Sequence, residues 1–425
     1  MKRRLRALVC SVVCVCLGWV GSAYGDAVTD WSAIAVDALN AAVPPRPGPT
    51  GLLDMAVVQL AVHNAVAAID GRFQPYYLTI AGASGSPVAA TAKAAHDVLV
   101  NRFPTQAASL DSIYDNYLSA NNLAQDDPGV AVGQAAAAGI IALRADDGSF
   151  PSPAPSPYTG GTDNGVWRPT PAPFAPMAVP WLAHVRPFAL DNPWQLRAGP
   201  PPSLTSDRYT QDYNEVKALG ALFNSTRTPQ QTDLAYFWAA NYLAVWNEAV
   251  RNLARDNVYN IGESARLFAL FNMAMADGSI TAWSTKTHYA FWRPYTAIQE
   301  GDNDGNDYTT GDPNWLPLID NPPYPDYTSG ANNVTGAVTR MLQLYFGRDE
   351  LTFPVTTNNA LATHKTRIYN RFSDAASDVV NCRVYEGIHF RFADEIARSQ
   401  GEAIADWAFT RFLRPLDSHD NDGHE

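Results

Sequence analysis

The sequence predicts an all-α protein, a helical bundle or two packed bundles with a long Pro-rich arm wrapped over them. Three observations predict it. Apolar residues recur at helical spacing through most of the 425 residues. Alanine, the strongest helix former, is abundant inside those stretches. No long apolar–polar alternation marks a sheet anywhere in the chain.

The first 25 residues stand apart. Lys2, Arg3, Arg4 and Arg6 precede a short apolar run, Leu8 to Val20, and Ala23-Tyr24-Gly25 offers small residues where a signal peptidase cuts. We read residues 1–25 as a secretory signal cleaved near Gly25-Asp26, which sends the chain to the periplasm or the medium. The run is shorter than the roughly 20 residues of a spanning helix, so no stable membrane insertion is expected.

Residues 26–145 form an N-terminal helical region. Asp30 or Ser32 caps a helix over 33–42, which the Pro44–Pro49 run breaks. Helices follow over 52–69, stopped by Asp70-Gly71, and over 89–101, 106–120 and 129–143. Residues 146–205 are rich in Pro, Gly, Ser and Trp. In that arm Trp167, Phe174, Trp181, Phe188 and Trp194 argue for packing onto the helical body. Residues 206–415 return to helical patterning: 207–222, 228–251, 264–299, then a turn-rich stretch 301–328, then 333–346, 365–380 and 389–412. The end, 416–425, is acidic, carries His419 and His424, and reads as a solvated tail.

The chain carries 30 basic and 42 acidic residues, a net charge of −12. Four of the basic residues and none of the acids precede Asp26, so the exported chain carries −16. Such a surface repels nucleic acid and anionic membrane. A cluster of cations in it therefore needs a local reason. Beyond the signal Cys382 is the only cysteine, so no internal disulfide can form.

Three stretches of the C-terminal half carry chemistry. In Lys286-Thr-His-Tyr-Ala-Phe-Trp-Arg293-Pro294 the two cations lie seven apart, about two turns of one helix. They share a face with Trp283. Such a face is either an inward anion site or a surface with snorkelling cations. In Tyr324-Pro-Asp-Tyr-Thr-Ser329-Gly330-Ala331 a Ser-Gly pair opens a helix, where a hydroxyl and free N–H groups can cradle an oxyanion or merely cap the turn. In Arg383-Val-Tyr-Glu-Gly387-Ile-His389, Gly387 suggests that Arg383 reaches in from a loop before the helix that His389 begins. Cys382, just before it, reads as a buried small residue.

Together, Lys-x6-Arg-Pro, Ser-Gly and Arg-x5-His resemble the signature of the vanadium-dependent haloperoxidase and type 2 phosphatidic acid phosphatase superfamily. Val28-Thr-Asp-Trp, the helix bearing His63, His184-Val-Arg-Pro-Phe and Gly387-Ile-His389-Phe-Arg-Phe resemble its secreted bacterial haloperoxidase-like branch. The resemblance implies that Lys286, Arg293 and Arg383 bind the oxygens of vanadate, or of phosphate in the same site, with hydrogen bonds from Ser329 and Gly330. It implies that His389 bonds to vanadium, or attacks phosphorus in a phosphatase. Trp283 and Tyr324 match positions that shape the halide pocket. The implied reactants are hydrogen peroxide, a halide and a small organic substrate, or a phosphate ester. A homodimer paired through exposed helices is compatible with this reading.

The resemblance has two gaps. The family pattern places an acid–base histidine directly after Ser-Gly, where this chain has Ala331. The pattern's aspartate near the end of the third motif is displaced, with Ala393 preceding Asp394. His288 and His364 are candidate substitutes for the missing histidine. Three readings stay open from the residues: a vanadate-dependent haloperoxidase, an acid phosphatase, and a non-catalytic oxyanion binder.

Overall fold

The computed structural model describes residues 26–171 and 173–416. The expected signal and the acidic tail from residue 417, with His419 and His424, lie outside the described residues.

The architecture is helical. Five helices form the N-terminal region: α1 Ala27–Asn40, α2 Gly51–Asp70, α3 Pro87–Arg102, α4 Ala107–Ala120 and α5 Pro128–Leu143. Eight follow the arm: α6 Asp207–Leu219, α7 Pro229–Trp238, α8 Tyr242–Asn257, α9 Ile261–Tyr289, α10 Pro294–Gln299, α11 Gly330–Phe346, α12 Phe372–Tyr385 and α13 Arg391–Arg411. Two strands, β1 Glu350–Thr356 and β2 Thr366–Arg371, pair antiparallel as a hairpin.

Local chemistry explains most of the boundaries. Asp26, not Asp30 or Ser32, caps α1, and its carboxylate accepts from the Thr29 N–H at 3.0 Å. The expected helix over 228–251 is two helices, because Asn241 caps a new start at α8. The expected helix over 365–380 begins as strand β2. Of that strand only Tyr369 is buried, so its inward pattern is too short to stand out in the sequence.

Helices α2 and α9 are buried along most of their lengths and pack on each other. Helix α2 is long and apolar enough to cross a membrane, but here it is a core helix. Helix α11 packs against α9 and α13. At the α11–α13 crossing a side chain at Gly336 would run into the Arg398 carbonyl, and one at Gly401 into the Asn333 carbonyl. Only glycine lets the two backbones approach so closely, and this places Ser329 at one helix start beside Asp394 at the other.

One buried carboxylate anchors the middle of the arm. Asp277, in mid-α9, accepts the N–H groups of Phe188, Ala189 and Leu190 at 2.6, 2.7 and 3.0 Å. Trp167 and Phe188 are buried and Trp181 is half-buried, as their aromatic character suggests. Phe174 and Trp194 depart from that expectation, being 63% and 56% exposed. Their segments turn outward, with Phe174 in a left-handed conformation (φ 58°).

Asp277→Ala should strand three buried donors. We expect stability to fall by about 3 kcal/mol or more, given roughly 1–3 kcal/mol per unsatisfied buried group. Urea unfolding measures the loss, and amide hydrogen exchange should rise at 188–190 before the rest of the chain.

Candidate functional site

Helix α9 brings Lys286 into the interior on its last turn. The helix does not continue to Gln299 as the pattern suggests. Pro294 cannot sit inside a helix, and it pushes the residue before it into an extended conformation. Arg293 accordingly has φ −86° and ψ 155° and becomes the N-cap of α10. Ala290 turns left-handed (φ 47°) to end α9. Lys286 and Arg293 therefore do not share a stripe on one helix. They meet the same loop from two elements instead. Lys286 Nζ donates to the carbonyls of Pro325 and Asp326 at 2.7 and 2.8 Å. Arg293 Nε donates to the Tyr324 carbonyl at 2.9 Å.

Arg383 lies within α12, in its last turn, rather than in a loop. Gly387, with φ 80°, makes the sharp turn that follows. A side chain there would collide with the Gly220 carbonyl at the end of α6. That turn brings His389 back to the cations. Arg293 Nη1 lies 3.2 Å from His389 Nε2 and donates to the Ile388 carbonyl at 2.6 Å. Asp326 Oδ1 lies 2.6 Å from His389 Nδ1, approaching off the N–H axis.

Two aromatic rings cover the cations. Trp283 and Tyr324 have ring centroids 4.7 Å apart. The Lys286 ammonium lies 5.1 Å, and the Arg293 guanidinium 5.0 Å, from the Tyr324 centroid. The Trp283 indole N–H donates to the Ala178 carbonyl of the arm at 3.1 Å, which fixes the ring.

The buried charges decide the protonation pattern. Lys286, Arg293, Asp326, Glu386, Asp394 and His389 are at most 1% exposed, and Arg383 is 8% exposed. Burial, then the neighbouring Arg293, Lys286 and Arg383, hold the His389 imidazole well below its ordinary range. It is neutral, with one bare ring nitrogen. Burial, followed by Arg293, also pulls Lys286 down. Burial pushes Asp326 and Glu386 up to about 7, against the cations beside them. Burial works against the charge on Arg383, but Glu386, 2.6 Å away, outweighs it and holds the guanidinium above its usual range.

A cavity of about 570 Å³ opens onto this cluster. Its inner end is lined by His389, Arg383, Gly330, Ala331, Trp283 and Tyr324. Its outer wall comes from other elements, including Leu39 of α1, Arg46 and Leu52 near the start of α2, and Leu243 of α8. Lys286, Arg293 and Ser329 stand behind the lining, fully buried. The Ser329 hydroxyl caps α11 through the Asn332 N–H, at 3.5 Å.

The residues fit a tetrahedral oxyanion. Arg293 Nη2 and Arg383 Nε are buried donors without a partner. Such orphans inside a protein call for an acceptor. Gly330 opens α11, whose first N–H groups have no acceptor within the helix. A bare imidazole nitrogen beside three cations suits both vanadate and phosphate.

Asp326 and Glu386 were not singled out in the sequence, because one acid in a Pro-rich loop and one before a glycine carry no spacing signal. The candidate substitute histidines do not reach the site. His288 is exposed against Tyr289. His364 is bonded to Asp233 in the hairpin region, its side chain 71% exposed. Cys382 is buried, its thiol donating to the Val379 carbonyl.

Residues 266–418 match the family described as the VCPO second helical-bundle domain. The vanadium chloroperoxidase of Curvularia inaequalis is 31% identical over 180 residues, a match covering 34% of this chain and 29% of that protein. The chain therefore aligns with less than a third of that relative's length. Among solved structures, a bacterial vanadium-dependent iodoperoxidase superposes with a TM-score of 0.77 at 23% identity, covering 92% of this chain and 96% of its own. A bacterial vanadium-dependent chloroperoxidase in its holo form superposes with a TM-score of 0.67 at 18% identity, covering 85% and 91%. The fold is thus that of the vanadium-dependent haloperoxidases. The likeness in sequence lies in the matched C-terminal bundle, residues 266–418, and the likeness in fold extends over most of the chain.

Arg383→Ala should do two separable things. It strands the buried Glu386, which we expect to lower stability by about 3 kcal/mol or more, and it weakens phosphate binding about tenfold or more. The pair Arg383→Met with Glu386→Leu should recover the stability and leave phosphate binding weak. Urea unfolding and calorimetry with inorganic phosphate check both.

Proposed function

We propose that this chain is a vanadate-dependent haloperoxidase that converts a halide, hydrogen peroxide and a proton into hypohalous acid and water. One observation carries the reading: His389 is kept neutral, with a bare Nε2, inside a cluster of three buried cations at the end of a cavity. In this reading Lys286, Arg293 and Arg383 neutralise the oxyanion, the Gly330 N–H adds a hydrogen bond, and His389 Nε2 is the ligand. Bound there, vanadate supplies a Lewis-acid centre that makes peroxide electrophilic toward halide without a change in its own oxidation state. The Trp283–Tyr324 pair forms an apolar, polarisable wall where a halide loses its water. The names of the similar proteins, a chloroperoxidase and an iodoperoxidase, support this chemistry over phosphate-ester hydrolysis. The apolar run of residues 8–20 behind four basic residues supports export.

Ala331 favours a second reading, a fold that binds the anion and turns over little. Alanine moves no proton, and acid–base help contributes roughly 10²–10⁴ in rate.

The assay compares bromination with peroxide, after vanadate loading, with hydrolysis of an aryl phosphate. Bromination that vanishes in His389→Ala supports the proposal. Phosphatase activity inhibited by vanadate, or anion binding with neither activity, refutes it. Ala331 lines the cavity next to Gly330, so Ala331→His places an imidazole beside the anion. We expect it to raise bromination by about 10² or more.

A further inference from the structure

We propose that Asp326 is the positioning residue that fixes the tautomer and orientation of His389. The inference rests on the reading of the cluster as a vanadate site.

The two ring nitrogens have different neighbours. Nε2 faces Arg293 Nη1 at 3.2 Å. A guanidinium only donates, so Nε2 is the bare nitrogen and the ring proton sits on Nδ1. Nδ1 faces a carboxylate oxygen of Asp326 at 2.6 Å. A histidine that offers one nitrogen to a metal generally has its other N–H held by a carboxylate, a carbonyl or water, which sets the tautomer and raises the basicity of the ligating nitrogen.

The other nearby carboxylates are committed elsewhere. Glu386 is paired with Arg383 at 2.6 Å. Asp394 accepts from the Asn332 side chain at 2.8 Å and packs by Ser329, at the start of α11. Ala393, at the position where the family pattern has its aspartate, offers no side-chain oxygen. Neither oxygen of Asp326 bonds to another side chain; the Phe390 N–H lies beside the carboxylate, and Oδ1 meets Nδ1 off the N–H axis, so a small rotation aligns the pair. Its backbone carbonyl accepts from Lys286, so the carboxylate is held by the same ammonium that neutralises the site. Arg293 Nη1 stands 3.9 Å from the same oxygen and links both ends of the arrangement.

The test uses the full exported chain with ¹⁵N-labelled histidine. In the wild type we expect the His389 proton on Nδ1. In Asp326→Ala the Nε2–H form should appear and vanadate affinity should fall roughly 10–100-fold, as for lost outer partners of metal-bound histidines. Inorganic phosphate, held by the cations alone, should bind the variant as tightly as the wild type or more tightly, because one negative charge has left. Asp326→Asn retains an oxygen acceptor and should keep the Nδ1–H form with a smaller loss of vanadate affinity. A proton on Nε2 in the wild type overturns the inference. So does an Asp326→Ala protein with unchanged tautomer and vanadate affinity. If Asp326→Ala does not fold, the wild-type tautomer and Asp326→Asn decide. Wild-type protein that binds neither phosphate nor vanadate removes the oxyanion reading, a separate failure.

Discussion

Lys286, Arg293 and Arg383 are almost withdrawn from water inside an apolar helical body, and each such withdrawal carries an effective penalty of several kcal/mol. The chain offsets it locally. Three consecutive carbonyls, from Tyr324 to Asp326, accept from Lys286 and Arg293. Glu386 neutralises Arg383, and two aromatic rings lie against the other cations. Every element that touches the cluster is placed by this need: the end of α9, the start of α10, the loop before α11, and the turn from α12 to α13. The donors left over, on Arg293 and Arg383, are the part of the arrangement that a guest completes.

The same constraint sets the chemistry of the imidazole. A histidine in water takes up a proton near neutrality. Buried beside three cations, His389 is held well below that range. The site thus keeps a bare nitrogen without a separate base. Ala331 carries no group that could move a proton, while Arg293 Nη2 and Arg383 Nε remain buried donors without a partner.

Long buried helices were legible in the sequence because their apolar spacing is strong: α2, α3, α5, α11 and α13 fall within a few residues of expectation. The break after Tyr289 was not, since a proline four residues beyond a left-handed alanine reads as continued pattern. The hairpin was missed because only Phe353, Val355 and Tyr369 are buried within its strands. The cations and His389 were visible through their order along the chain. Asp326 and Glu386 gain meaning only from the fold, which brings them against His389 and Arg383. Ser329 was expected to face the anion, and instead its hydroxyl caps α11 behind the cavity lining.

The inner and outer walls of the cavity come from different parts of the chain. The reactive groups belong to residues 283–389, whereas Leu39, Arg46 and Leu52 belong to the N-terminal region and Leu243 to α8. Exchange of a wall residue therefore alters which molecules are admitted and leaves the imidazole and its cations untouched. Admission to the pocket and the make-up of the cation cluster are thus set by separate stretches of the chain.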